Sequence, residues 1–306
     1  MNGTATLERV VIISHQEGRT HRFGLILFLP NSRQPAPVFL LINNREASNT
    51  DPTRADKSGF WPAEDLIARG YGIAALQNGE LAPDDKDHFT EGVIHLFEGD
   101  RTERSPHAWG ALGAWAWGAS RVMDYLETDP RVDASRVAVL GHSRGGKAAL
   151  WAGAQDERFA FVISNESGEG GAALARRPFG ETVKAINDVF PHWFDATYKT
   201  YDDRVKDLPV DQHMLLSLIA PRALYVASAD EDLWSDPRGE FESLAASSPV
   251  FELYGDPTIA ADAMPPLEQP LIVGRRGYHI RRGEHNLTPY DWARFADFAD
   301  HLGWKQ

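Results

Sequence analysis

Residues 137–147 read Val-Ala-Val-Leu-Gly-His-Ser-Arg-Gly-Gly-Lys, an apolar run followed by the pattern Gly-x-Ser-x-Gly. The run Val137–Leu140 is typical of a buried strand, and the apolar residues 148–154 after the pattern favour a helix. Small residues two places before and after Ser143 leave room for a tight, strained turn that lifts the hydroxyl out of the sheet. The stretch therefore predicts a nucleophile elbow. The alternative is a glycine-rich phosphate-binding turn, but the spacing matches neither a P-loop nor a dinucleotide-binding motif.

Short apolar runs rich in β-branched residues recur along the chain and predict strands. From residue 137 onward they alternate with helical stretches, which favours parallel pairing through right-handed crossovers. The first runs have short connections, as in an antiparallel edge. With the elbow, this order predicts an α/β-hydrolase fold, in which a mostly parallel central sheet has an antiparallel N-terminal edge and helices on both faces. We expect a single catalytic domain over residues 1–306. The predicted strands are Arg9–Ile13, Gly24–Leu29, Val38–Ile42, Ile73–Leu76, Val137–Leu140, Phe161–Ser164, Ala223–Ala227 and Leu271–Val273.

Two long helices stand out. Residues 109–127 carry a broad apolar stripe that is typical of a core-facing helix. A second helix is predicted to begin at Thr288-Pro289, a capping hydroxyl followed by a first-turn proline, and to end near His301. Two segments, 43–78 and 168–212, do not fit the alternation. Both would lie at the carboxyl ends of strands, where open α/β sheets bind ligands.

The bulk composition argues against several classes of function. The formal net charge of -13 opposes binding to nucleic acid or to anionic membranes. There is no cysteine, so disulfides and thiolate chemistry are absent and the redox compartment cannot be read from the sequence. The first residues have neither a basic region nor a long apolar core. The expectation is a cytoplasmic protein, or else a mature or trimmed form of a secreted one.

An activated serine needs an imidazole, which comes last in the chain order of this fold. His285 stands just before the terminal helix and is the predicted base. His279 is the runner-up, with a packed or hydrogen-bonded role as its alternative, and His192 could instead line the substrate pocket. The orienting acid has two admissible sources, Asp232 after the strand Ala223–Ala227 and Glu166 after the strand Phe161–Ser164. Either could equally be a solvated loop acid.

Arg144 and Lys147 place positive charge in the first turn of the predicted helix, where the helix dipole favours acids. This pattern indicates a functional role. We expect the backbone N–H of Arg144 to be one oxyanion donor and the loop near Asn43 to Arg45 to supply the second. A solvated surface lysine is the alternative for Lys147. No His-Glu-x-x-His motif or cysteine ligand is present, so we expect no metal site and no cofactor.

Several separated segments resemble the bacterial glucuronoyl esterases of carbohydrate esterase family 15. The resemblance extends from about Ile26 to the C-terminus, and it is much more specific than the elbow alone. One departure is His142, which stands where the family commonly has cysteine. The segments that carry the resemblance are 109–111, 141–147, 165–168, 180–182, 191–194, 232–237, His285 and 291–292.

The resemblance implies an esterase that cleaves esters between 4-O-methyl-glucuronate on xylan and alcohols of lignin. It implies that Ser143 is the nucleophile, His285 the base and Arg144 an oxyanion-stabilising residue, with the acid at the position of Glu166 or of Asp232. The residues implied to contact the sugar are Lys147, Glu181 and Trp234.

The substrate is expected to be glucuronoxylan or a small uronate ester, with no nucleic acid or membrane partner, and the protein is expected to be a monomer. Family members are usually secreted or periplasmic. The alternatives are an acetylxylan esterase, a general carboxylesterase, or a carbohydrate-binding relic without catalysis.

Overall fold

The strand-to-helix turn at Ser143 is present in the computed structural model, which describes residues 1, 3–101 and 103–305. Strand β5 (Val132–His142) leads through Ser143 directly into helix α5 (Arg144–Gln155). Ser143 has φ 56° and ψ -126°, a backbone conformation that costs energy for a non-glycine residue. The nucleophile-elbow geometry predicted from the sequence is confirmed.

The central sheet has the predicted antiparallel N-terminal edge and parallel centre. Within the described residues nine strands form one sheet in the order β1-β2-β4-β3-β5-β6-β7-β9-β8. Strands β1, β2 and β4 pair antiparallel at the N-terminal edge, and the pairs from β4 through β9 are parallel. The α/β-hydrolase fold is confirmed. The strands are β1 (Ala5–Gln16), β2 (Arg19–Pro30), β3 (Ala36–Asn43), β4 (Gly72–Gln77), β5, β6 (Phe161–Asn165), β7 (Ala223–Ala229), β8 (Leu271–Val273) and β9 (Arg276–Arg281).

The last parallel strand is not the predicted one. Leu271–Val273 was expected to join the parallel series, but β8 is an antiparallel edge strand paired with β9. Strand β9 takes the parallel position beside β7 and was missed. All six of its residues are buried although three are Arg276, His279 and Arg281. Their burial is possible because polar partners from distant parts of the chain bind them. The sequence around β9 gives no sign of these partners, so the strand could not be predicted from it.

The two long helices predicted from the sequence are both present. The stripe expected over 109–127 forms α4, and the terminal helix is α11, whose predicted Thr288 cap is completed by Asp291. In the described part of the chain no helix has the length and apolar character to span a membrane. The helices are α1 (Ala63–Ala68), α2 (Asn78–Leu81), α3 (Val93–Glu98), α4 (Ala111–Leu126), α5, α6 (Val183–Val189), α7 (Ala196–Lys199), α8 (Gln212–Ser217), α9 (Pro237–Ala246), α10 (Ser248–Glu252) and α11 (Pro289–His301).

Two apolar cores cover the two faces of the sheet. Residues of α4 and α5, with Trp193, form one core. Residues of α1 and α11, with Phe60, form the other. Ser143 follows central strand β5 at the carboxyl edge of the sheet, so loops and side chains from both faces can reach it. The site therefore has two sides, one on each face of the sheet.

Replacing Gly141 tests the constraint that makes the elbow. A Cβ on Gly141 would lie 2.1 Å from the carbonyl carbon of Gly145. Because both partners are backbone, Gly141→Ala should destabilise the fold by about 1–3 kcal/mol, as overpacked sites do. Urea unfolding measures this loss. Gly79→Ala is the control, since nothing lies within 4 Å of a Cβ there. Equal unfolding midpoints for the two variants would contradict the prediction.

Candidate active site

His285 lies between two carboxylates at the carboxyl edge of the sheet. Its Nδ1 is 2.5 Å from Asp232 Oδ2 and 3.3 Å from Glu166 Oε2. The centroid of its ring is 4.3 Å from that of His142, the residue before Ser143. Folding thus brings both candidate acids and the predicted base next to the elbow. With Nδ1 engaged by carboxylates, Nε2 is the nitrogen left for proton transfer.

The backbone of Ser143 is held firmly while its hydroxyl is left free. Its N–H donates to Asn165 O at 2.9 Å, and its carbonyl accepts from Gly146 N at 2.9 Å and Lys147 N at 3.2 Å. Across the described ranges, no protein group hydrogen-bonds to its Oγ. Catalytic hydrogen bonds are often long without substrate and tighten in the complex. The hydroxyl is therefore positioned but not yet engaged.

The two acids have different surroundings. Asp232 gives one oxygen to His285 and accepts from Ser235 N with the other at 3.3 Å. Although burial would raise the pKa of Asp232, the hydrogen bond and charge of His285 hold it below its ordinary value. Glu166 accepts from Arg281 at 2.6 Å and from the backbone of Asn286 at 2.9 Å. Burial raises the pKa of Glu166 to about 7, against the opposing effects of His285 and Arg281.

The carboxylates also change the acidity of the base. Burial alone would lower the pKa of His285, but the hydrogen bonds and charges of Asp232 and Glu166 raise it to about 9. His285 is therefore a stronger base than a free histidine. It is also protonated over more of the neutral pH range.

Arg144 is held by an acid that the sequence did not reveal. Its Nη1 is 2.5 Å from Asp84 Oδ2, and its guanidinium lies 4.8 Å from the ring centroid of Trp193. Asp84 also contacts His192 Nε2 and Trp193 Nε1, both at 2.8 Å. Burial works against ionisation, yet His192, Arg144 and Trp193 together lower the pKa of Asp84 to about 2. Asp84 is one of several acids in a polar stretch, so no sequence signal distinguished it.

The loop after β3, predicted to supply an oxyanion donor, comes close to the first turn of α5. Arg144 is the first residue of α5, so its backbone N–H has no acceptor within the helix. A Cβ on Gly145 would lie 3.3 Å from Asn44 Oδ1, which shows how close the loop after β3 comes to the first turn of α5.

The three residues expected to contact the sugar form one cluster. Lys147 Nζ donates to Ser167 O at 2.6 Å, to Glu169 O at 2.5 Å and to Glu181 Oε2 at 3.0 Å. Lys147 is buried, so the alternative of a solvated surface lysine is wrong. The other oxygen of Glu181 accepts from Trp234 Nε1 at 3.2 Å. Trp234 is 54% exposed, which leaves its ring free to pack against a ligand.

Two further histidines have clear structural environments. His142 is fully buried, with Nδ1 2.7 Å from Asn165 Oδ1 and Nε2 3.4 Å from Arg45 Nη2. Burial, followed by the charge of His285, holds the pKa of His142 well below its ordinary value, so it is neutral beside the base. His279 is also fully buried, bonded to Asp291 at 2.8 Å, which agrees with the packed alternative to a base.

The second side of the site is an open cavity of about 450 Å³ on the opposite face from Lys147. Its lining includes His285 and Arg45. Its other lining residues are Asn49, Ser58, Gly59, Phe60 and Asn286 to Pro289.

The same three side chains, Glu166, Asp232 and His285, are also close enough to hold a metal ion, since their ligand atoms lie within 4.8 Å of one another. Here the Nδ1 of His285 is already bonded to Asp232 at 2.5 Å. That arrangement fits the orientation of a base. The absence of a metal remains a prediction.

A strained serine after the central strand, with a carboxylate-bound histidine against the ring of the residue that precedes it, defines a hydrolase of the α/β-hydrolase fold. The family profile described as "Glucuronyl esterase, fungi" matches residues 12–255. A carbohydrate esterase of an unknown prokaryotic organism is 45% identical, over 98% of this chain and 76% of its own. The solved glucuronoyl esterase from Solibacter usitatus is 45% identical with a TM-score of 0.91, over 98% of this chain and 82% of its own.

A fungal relative extends the comparison. The 4-O-methyl-glucuronoyl methylesterase 1 of Phanerochaete chrysosporium is 37% identical over 67% of this chain, which spans 46% of that protein. The chain belongs to the glucuronoyl esterase family, carbohydrate esterase family 15, and is a carboxylic ester hydrolase.

The raised pKa of His285 gives a testable pH dependence. A base must be neutral to accept a proton, so kcat/KM should rise with pH with a midpoint well above that of free histidine, near about 9. Asp232→Asn removes a carboxylate that raises this pKa, so its midpoint should shift to lower pH while kcat falls. The pH profile of kcat/KM on an ester measures both effects. Glu231→Gln, an exposed neighbour, is the control. An unmoved midpoint in Asp232→Asn would refute the pairing.

Proposed function

We propose that this protein hydrolyses esters between the carboxyl of (4-O-methyl-)glucuronate in xylan and alcohols of lignin. One observation carries the proposal. The serine elbow and the His285–Asp232 pair share one edge of the sheet with the buried Lys147–Glu181 pair and the exposed ring of Trp234. The Phanerochaete relative is a 4-O-methyl-glucuronoyl methylesterase, which supports the same substrate class.

The reaction proceeds through an acyl-enzyme. His285 Nε2 takes the proton of Ser143 as Oγ attacks the ester carbonyl, and the C–O bond to the alcohol breaks as the alcohol oxygen receives that proton. Water, deprotonated by His285, then attacks the glucuronoyl carbonyl, the bond from the acyl carbon to Ser143 Oγ breaks, and Oγ takes the proton back from His285 as the free uronate leaves. Asp232, 2.5 Å from Nδ1, keeps the ring in the tautomer that leaves Nε2 as the acceptor.

The developing oxyanion requires fixed donors. The free backbone N–H at the start of α5 is one donor, and the loop near Asn43 to Arg45 supplies the second. Arg144 adds positive charge, and Asp84 and the ring of Trp193 fix its guanidinium in place. Because these groups are oriented before substrate binds, little reorganisation opposes the reaction.

The acyl side of the site suits a hydroxylated sugar. Lys147 and Glu181 are polar groups held rigidly by each other and by backbone carbonyls, and Trp234 offers an exposed ring for the sugar face. His192, bonded to Asp84, lines the same side. Its Nδ1 is buried and has no hydrogen-bond partner among the described residues.

The alcohol side is the cavity whose lining includes Arg45 and His285. An alcohol bound there takes its proton from His285. It can then leave without passing the cluster of Lys147, Glu181 and Trp234. Its open form accommodates leaving groups of various sizes. Neither cofactor nor metal takes part in this scheme, and the protein acts as a monomer.

Substrate preference separates this proposal from a general esterase or an acetylxylan esterase. For each ester, kcat/KM is divided by the rate constant for its hydrolysis by hydroxide. We expect this ratio to be larger for benzyl glucuronate than for p-nitrophenyl acetate. Trp234→Ala should reduce the rate on benzyl glucuronate and leave p-nitrophenyl acetate hydrolysis unchanged. Trp151→Ala, which changes a 40% exposed tryptophan on α5, is the matched control. Equal losses on both esters would favour the general esterase. Binding of xylo-oligosaccharides without reaction with a serine-directed phosphonate would favour the relic.

Arg144→Ala tests the oxyanion role. Losing one stabilising group of this kind costs about a hundredfold or more in kcat, and the fold should persist because the side chain lies at the surface end of α5. Steady-state kinetics on benzyl glucuronate, with circular dichroism, measure the two quantities. Lys184→Ala serves as the control for loss of a surface charge. A kcat within twofold of the unmodified protein, about 0.4 kcal/mol, would exclude this role.

A further inference from the structure

A buried arginine connects the histidine loop, residues 282–287, to the rest of the active site. Arg281 is the last residue of β9 and is only 4% exposed. Its guanidinium donates to the carbonyls of Arg282 at 3.0 Å, Glu284 at 2.9 Å and Asn286 at 2.6 Å. These carbonyls flank His285 on both sides in the chain. One side chain thus fixes the backbone path that carries the base.

The same guanidinium binds two carboxylates from other elements. Nη2 is 2.6 Å from Glu166 Oε1, and Nε is 3.1 Å from Asp291 Oδ2. Glu166 follows β6 with a positive φ of 48°, and Asp291 belongs to the capping box of α11. A planar fork with five donors can hold both acids and the loop carbonyls at once, whereas a lysine ammonium cannot.

This arrangement separates the roles of the two acids. Glu166 is engaged by Arg281 through one oxygen and by the backbone of Asn286 through the other. Its distance to His285 Nδ1 is 3.3 Å, against 2.5 Å for Asp232. Glu166 thus serves mainly the arginine and the loop, and Asp232 serves the imidazole.

We infer that Arg281 is a positioning residue, which holds the histidine loop and binds Glu166, so that Asp232 is the acid that mainly orients His285. It touches neither substrate nor the reacting atoms. The inference rests on the proposed base in His285, but not on the identity of the acyl group.

The control for structural damage lies on the same strand. Arg276 is also fully buried in β9, but it bonds to Ser248 Oγ at 2.7 Å and to the carbonyl of Pro257 rather than to the histidine loop. Replacing either arginine leaves a buried hole and unpaired acceptors. Only the Arg281 variants should change the chemistry of the base.

The experiment compares Arg281→Met, Arg281→Lys and Arg276→Met in the full chain. Misplacing the base should lower kcat about tenfold to a hundredfold in both Arg281 variants, while KM stays within about twofold because the sugar cluster is untouched. Arg276→Met should keep kcat despite a lower unfolding midpoint. Should Arg281→Met fail to fold, Arg281→Lys carries the test because it keeps the charge.

The pH profile supplies a readout that a purely structural role would not move. Without the Arg281 cation the pKa of Glu166 rises further, so Glu166 stays protonated to higher pH and contributes less to the raised pKa of His285. The midpoint of kcat/KM should therefore shift to lower pH in Arg281→Met. In a Glu166→Gln background the same replacement should give no further shift.

Two outcomes overturn the inference. In the first, the Arg281 variants have the same kcat and the same pH midpoint of kcat/KM as Arg276→Met. In the second, Arg281→Met shifts that midpoint as far in the Glu166→Gln background as it does in the unmodified protein. The measurements use whichever ester the unmodified protein hydrolyses, p-nitrophenyl acetate included. Failure on glucuronate esters alone therefore counts against the proposed substrate and not against Arg281.

Discussion

The close approach of Gly141 to Gly145 is the constraint on which the rest of this site depends. No side chain fits at position 141, where a Cβ would meet backbone at 2.1 Å. The chain can therefore turn from β5 into α5 within one residue, and Ser143 takes the strained conformation that projects its hydroxyl. Since β5 is central in the sheet, the elbow lies at the edge where the loops after β3, β6, β7 and β9 begin. Glu166, Asp232 and His285 stand in the last three of those loops and lie close together next to the elbow.

Around the serine, every important cation is matched with a carboxylate. Arg144 is paired with Asp84, Lys147 with Glu181 and Arg281 with Glu166. Burying an isolated charge is very costly, so these partners make the burial of Lys147 and Arg281 possible, and the same kind of pair orients the partly exposed Arg144. The excess of acids in the chain, which gives the net charge of -13, makes such pairing easy. The result is a rigid polar site whose dipoles are set before substrate arrives.

The acids near His285 show how position decides role. Glu166 and Asp232 are both buried and both near the same nitrogen, but only Glu166 also binds a buried arginine. His142 adds a neutral ring beside the base. Its neutrality matters, because a second cation at a centroid distance of 4.3 Å would oppose protonation of His285 during catalysis.

The sequence by itself determined the elbow at Ser143, most of the strands, the long helices α4 and α11, and His285 with its two candidate acids. These depend on local spacing, capping and chain order, which a linear pattern records. Only the tertiary structure decided which acid lies closest to His285, that Asp84 holds Arg144, and that Arg276–Arg281 is a buried strand. Those outcomes depend on contacts between residues that are far apart in the chain. Glu166 and Arg281, for example, are separated by 115 residues. A charged residue can be buried when such a partner neutralises it, and local sequence carries no sign of that partner.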